Sequence, residues 1–142
     1  MKNIFAILVA TLSIVSCAQK KENITPILKS ETNTIMDLNK ITNENVRKAI
    51  EALQNNDKTA FYSYFTKDVV FTDDGRKLDF QSFFDNAFHH KEKFLSIDTI
   101  ENNGQLINGN FYAGQWGTFR VYFHFHENEN KMFNRLDIGQ KR

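Results

Sequence analysis

Apolar positions recur along this chain at two periods, and the change from one to the other marks its elements. Val46, Ala49, Ile50 and Leu53 form one stripe at helical spacing, with Arg47, Lys48, Glu51 and Gln54 off it. Thr42 precedes the stripe as a good N-cap residue, and Asn55 and Asn56 end it. Asp57 caps a second, short helix carrying Ala60, Phe61, Tyr64 and Phe65. Asp79 caps a third, whose buried stripe is Phe80, Phe83, Phe84, Ala87 and Phe88. Between the second and third helices the period falls to two. Val69, Phe71 and Asp73 share one face of a strand over 69–73, and Asp74-Gly75 turns the chain.

The rest of the pattern reads as antiparallel sheet. A strand over 94–101 meets Asn102-Asn103-Gly104, a hairpin signal in which Asn-Gly favours a type I′ turn. The next strand covers 105–113, and Gly114, Trp116 and Gly117 then break the pattern with a bend or bulge. Over 118–126 the alternation is strict. Phe119, Val121, Phe123 and Phe125 point one way, and Thr118, Arg120, Tyr122, His124 and His126 the other. Residues 127–131 turn the chain into a last strand over 132–138. Helix, helix, strand, helix and then a meander is an α+β order.

Composition narrows the function classes. The 142 residues carry 18 basic and 17 acidic side chains, a balance that argues against a nucleic-acid groove or a polybasic membrane patch. Fourteen Phe against one Pro predict a core of large aromatic side chains, with a ligand cavity as the alternative use for them. Cys17 is the only cysteine, so no disulfide staples the chain to itself. Lys2, an apolar run over 4–14 too short to span a bilayer, and Ser16-Cys17 together resemble a bacterial lipoprotein signal peptide with its lipobox. The resemblance implies cleavage after residue 16, lipidation of Cys17 and residence in the cell envelope. Ala18, in place of an acidic residue after the cysteine, favours the outer membrane. Residues 17–36 are polar, mixed in charge and without sustained periodicity, and read as a flexible tether to a domain over 37–142.

That domain resembles the nuclear transport factor 2-like superfamily, which includes SnoaL-like cyclases and ketosteroid isomerase. The likeness rests on the two-helix start over 49–61, the stretch over 65–71 before Asp74-Gly75, and the closing Arg135-Leu136-Asp137-Ile138-Gly139. It implies a cone in which a bent sheet wraps helices and often leaves a pocket at its wide end, with dimerisation through the outer sheet face in many members. It also places Asp73 where ketosteroid isomerases hold their proton-shuttling aspartate. A carboxylate facing an apolar interior has a raised pKa, which suits a general base. The same alignment puts Ala49 where the family has its oxyanion-stabilising tyrosine, and a donor of that kind is often the largest catalytic contribution. The alternative role for Asp73 is to open the Asp74-Gly75 turn.

Three further features carry candidate chemistry. His124 and His126 share a strand face and could ligate one Zn²⁺ with Asp137 as a third ligand, but they oppose the Phe-rich face, where solvent or a dimer partner is the expected neighbour. Asn134 reads as a polar residue on the face of Met132, Leu136 and Ile138, either lining a pocket or satisfying a backbone group at a bulge. Trp116 reads as a pocket-mouth residue or as surface packing. His89-His90 ends a helix, where partial positive charge is favourable. The reading that results is an envelope-anchored domain, without cofactor or metal, that binds a small apolar ligand or a partner protein. Its cavity would be lined by Phe71, Phe84, Trp116, Phe123 and Asn134. An enzyme using Asp73 as base on a small carbonyl substrate is the second reading. A dimer whose cone is filled by its own Phe side chains, joined through Arg120, Tyr122, His124 and Arg135, is the third.

Overall fold

A computed structural model of the protein describes residues 36–142. The signal segment, Cys17 and all but the last residue of the tether lie outside these described residues. Helix α1 spans Glu44–Gln54, and its cap is Asn43, one residue later than the pattern suggests: Asn43 Oδ1 accepts a hydrogen bond from the Val46 N–H at 3.0 Å. The expected stripe is its inner face, with Val46, Ala49, Ile50 and Leu53 all buried. Asp57 caps α2 (Lys58–Ser63) through the Ala60 N–H, and α2 ends two residues earlier than expected because Phe65 already belongs to a strand.

Strand β1 runs over Phe65–Asp73 and β2 over Arg76–Lys77, joined by the two-residue Asp74-Gly75 turn. Both turn residues have positive φ, 47° and 78°, as a type I′ turn requires. Asp79 caps α3 (Phe80–His89) through the Ser82 N–H at 2.7 Å. Four long strands follow or close the chain: β3 (Lys93–Glu101), β4 (Leu106–Tyr112), β5 (Thr118–Glu127) and β6 (Phe133–Gln140). The sheet order is β2-β1-β6-β5-β4-β3. Every neighbouring pair is antiparallel except β1 and β6, which run parallel. The result is the α+β architecture expected, helices packed on a curved six-stranded sheet.

The β3–β4 connection departs from the two-residue hairpin. Glu101 pairs with Leu106, so four residues turn the chain, with Asn102, Asn103 and Gly104 all at positive φ. Gly104 accounts for the longer loop. A Cβ there would lie 2.4 Å from the Asn43 backbone nitrogen, so the turn is seated under the start of α1 and only glycine fits. The β5–β6 ladder holds a bulge: His126 pairs with Arg135 but Glu127 with Phe133, leaving Asn134 unpaired. Phe133 and Leu136 therefore both face inward, and Asn134 is exposed.

The core between helices and sheet is aromatic. Phe61 contacts Phe65, Phe84 and Phe88 at ring-centroid distances of 4.9, 4.8 and 5.4 Å, and Phe125 meets Phe133 at 4.9 Å. Each such ring removes ~150–250 Å² from water. Met36 and Leu38 pack against the same core. Among the described residues no helix is long and apolar enough to cross a membrane.

Candidate functional site

The aromatic packing does not fill the interior. A cavity of about 360 Å³ remains between α3 and the inner sheet face. From α3 it is lined by Phe83, Phe84 and Ala87; from the sheet by Phe111, Phe119, Val121, Phe123 and Ile138. The alternation along β5 produces this wall, since residues 119, 121 and 123 share one face. The register repeats it across strands: Phe111 lies opposite Phe119 and Phe123 opposite Ile138.

Polar groups enter at the rim. Asp73 ends β1 beside Ile138, half-buried, with its side chain on the cavity lining. Burial pushes its pKa up, the neighbouring Asp74 charge adds to this, and Arg76 opposes both. Asp74 is committed elsewhere: its Oδ1 accepts from the Gln140 N–H at 2.9 Å, and its own N–H donates to the Ile138 carbonyl, tying the hairpin to the end of β6. Glu92, in the segment after α3, is only 7% exposed and also lines the cavity. Burial raises its pKa, against the opposing charge of His90. Arg76 and Asn86 are the remaining polar side chains of the wall, apart from Gln140 beside the hairpin and the Trp116 indole N–H.

Trp116 stands at the mouth, 70% exposed, in the short turn Gly114–Trp116 between β4 and β5. Gly114 holds that turn down. Its φ is +56°, and a Cβ there would lie 2.9 Å from His90 Cβ and 3.3 Å from Glu92 Oε1.

Of the residues the sequence singled out, Asp73, Phe84, Trp116 and Phe123 come together at this cavity. Phe71 does not reach it. Phe71 is fully buried, and Phe83 and Phe84 cover it at 4.8 and 5.4 Å, so it forms the layer beneath the wall. Asn134 is likewise no pocket residue, because the β6 bulge turns it to the outside. Glu92 was missed. It sits between Lys91 and Lys93, a run that reads as solvated surface, while in the fold the Gly114 turn lies against its carboxyl.

His124 and His126 lie on the outer sheet face with Asp137. Burial and the adjacent His126 lower the His124 pKa. For Asp137 burial acts upward, but hydrogen bonds from Arg135, Thr72 and His126 outweigh it and bring the carboxyl down to about 2.

No family model and no curated protein matches the chain. Solved structures match its fold. An NTF2-like protein of unknown function from Cytophaga hutchinsonii superposes with a TM-score of 0.58 at 14% identity, covering 70% of this chain and 89% of that one. A proposed ketosteroid isomerase from Kribbella flavida gives 0.55 at 10% identity, covering 72% and 79%. The orange carotenoid protein of Anabaena, solved with canthaxanthin bound, gives 0.51 at 15% identity, covering 69% of this chain and 35% of that protein. Helices on a curved sheet, a cavity between them and these superpositions together give the chain the nuclear transport factor 2-like fold.

Proposed function

We propose that this protein is an envelope lipoprotein whose domain binds a small, largely apolar ligand in the cavity and releases it unchanged. The observation that carries this reading is the cavity itself: about 360 Å³, within the ~300–1,000 Å³ of small-molecule sites. Its wall is mostly Phe, Val and Ile, and it presents three carboxyls, Asp73, Glu92 and the hairpin-bonded Asp74, against the single cation Arg76. A ligand suited to such a wall is an apolar ring system with a hydroxyl or amine directed at the carboxyls. The orange carotenoid protein, 35% of which this chain matches, binds canthaxanthin, a largely apolar molecule, and this is in keeping with the reading. Lipidation at Cys17 accounts for the lone cysteine at the end of the apolar leader. Replacing Cys17 by Ala should move the protein from the membrane fraction to the soluble one.

Trp116 is the only tryptophan in the chain and stands at the cavity mouth, so its fluorescence reads binding directly. Titration with a non-fluorescent two-ring compound such as 2-decalone should shift its emission to the blue and saturate, and Val121→Phe should abolish the response. An unsaturable response, or one that Val121→Phe leaves intact, would refute a cavity ligand.

Glu92 favours one second reading, an enzyme using Asp73 as general base. Ala49, buried in α1, has a methyl side chain that cannot donate, so no oxyanion donor comes from that position. A carboxyl kept protonated by an apolar site is an alternative donor, and Glu92 is suitably placed on the cavity wall. On this reading Asp73→Asn lowers turnover of a small ketone at least ~100-fold with binding retained. On the binding reading no turnover exists to lose.

A further inference from the structure

Outside the cavity, a second constellation joins two strands. His124 and His126 project from β5 on the face opposite the Phe wall, and Asp137 of β6 is the direct cross-strand partner of His124. The two imidazole rings lie 4.0 Å apart between centroids. One ligating atom from each of the three side chains falls within 4.8 Å of the other two. Nε2 of His126 is already 2.9 Å from Asp137 Oδ2. Two atoms that bind one Zn²⁺ at ~2.0–2.1 Å with a tetrahedral angle are themselves about 3.3 Å apart, so small side-chain rotations separate this arrangement from a coordinating one.

The carboxylate is held in place by donors. Thr72, buried on the neighbouring β1, donates its hydroxyl to Asp137 Oδ1 at 2.6 Å, and Arg135 Nε donates to Oδ1 and Oδ2 at 3.0 and 2.8 Å. Metal-binding carboxylates are commonly oriented by donors of this sort. The strand register brings the ligands together without any loop, since i and i+2 on one strand and the cross-strand position of the next define three corners of a small triangle. All three side chains are half-buried, open enough for an ion to enter.

We propose that His124, His126 and Asp137 form a binding site for a borderline divalent transition-metal ion of the zinc class. Two imidazoles with one carboxylate select such an ion over Mg²⁺ or Ca²⁺, which prefer all-oxygen shells. Three protein ligands leave a fourth position open to water or to a donor from another molecule. The Arg135 charge beside Asp137 weakens the site relative to a purely anionic one, and the ion clips β5 to β6 on the outer face.

Zn²⁺ alone, titrated calorimetrically into the full-length protein, tests this. Binding of about one equivalent is expected. Affinity should fall at least ~10-fold in each of His124→Gln, His126→Gln and Asp137→Asn, and should stay unchanged in the control His89→Gln/His90→Gln. Circular dichroism of each variant monitors folding, and the two histidine variants keep the test decisive if Asp137→Asn is disturbed by loss of the Thr72 and Arg135 contacts. Absence of saturable binding to the wild type, or wild-type affinity retained in both His124→Gln and His126→Gln, would overturn the site.

Discussion

Along β5 the inner face of the sheet passes from one kind of interior to another. At Phe125 the chain meets Phe133, and with Phe61, Phe65 and Phe80 the rings close on each other at 4.6 to 6.3 Å. At Phe119 and Val121, on the same strand and face, the opposing helix leaves about 360 Å³ unfilled, and carboxyls stand at the rim. The difference teaches where stability and function are separated. The closed region buries apolar area with no polar atom to satisfy. The open region gives up packing and holds Asp73 and Glu92 in surroundings that penalise their charge.

Mutation should expose that division. The largest effect is expected at Phe61, which is fully buried among five aromatic neighbours, Tyr62, Phe65, Phe80, Phe84 and Phe88, at 4.8 to 6.2 Å. Phe61→Ala should cost about 3–5 kcal/mol in urea unfolding. Phe119→Ala, at the cavity wall, should cost about 1 kcal/mol, because much of its surface already faces space. Equal costs would erase the comparison. Gly114→Ala comes next, at about 1–2 kcal/mol, since φ of +56° disfavours a side chain and its Cβ would press on His90. A thermal melt reads the loss, and weaker ligand response at Trp116 should accompany it.

The third effect has the opposite sign. Glu92 has a folded pKa raised by burial, so the folded state holds its proton to higher pH than the unfolded chain does. Stability therefore falls as pH rises from the ordinary glutamate value, ~4.3, through the folded pKa, and the penalty is complete above it. Glu92→Gln should stabilise the protein by about 1 kcal/mol near neutral pH and make little difference near pH 4. Paired urea titrations at the two pH values check this, and stabilisation confined to acid would reverse the assignment. Val121→Phe should be the smallest in stability, within about 1 kcal/mol, while filling the space a ligand needs.

The same two regions differ in how far they can be read from the chain. Helix caps and stripes are local, so Asp57, Asp79 and the Val46–Leu53 stripe are visible in sequence, and Asn43 shifts its cap by one residue only. The β5 alternation is equally local and predicts the wall at Phe123. What depends on distant segments is hidden. The bulge that expels Asn134 arises where β6 must pair with β5 on one side and run parallel to β1 on the other. Phe71 shares a strand face with Asp73, but α3 packs over one and not the other. Glu92 looks like a solvated charge between two lysines until the Gly114 turn, some twenty residues later, closes over it.

If the open region is a ligand site, a crystal soaked with 6-bromo-2-naphthol will show it through the anomalous signal of bromine. A peak is expected between α3 and β5, among Phe83, Phe119 and Val121, with the hydroxyl toward Asp73 or Glu92. A cavity without the peak, its space taken up by the rotated rings of Phe83 and Phe119, would contradict the ligand site.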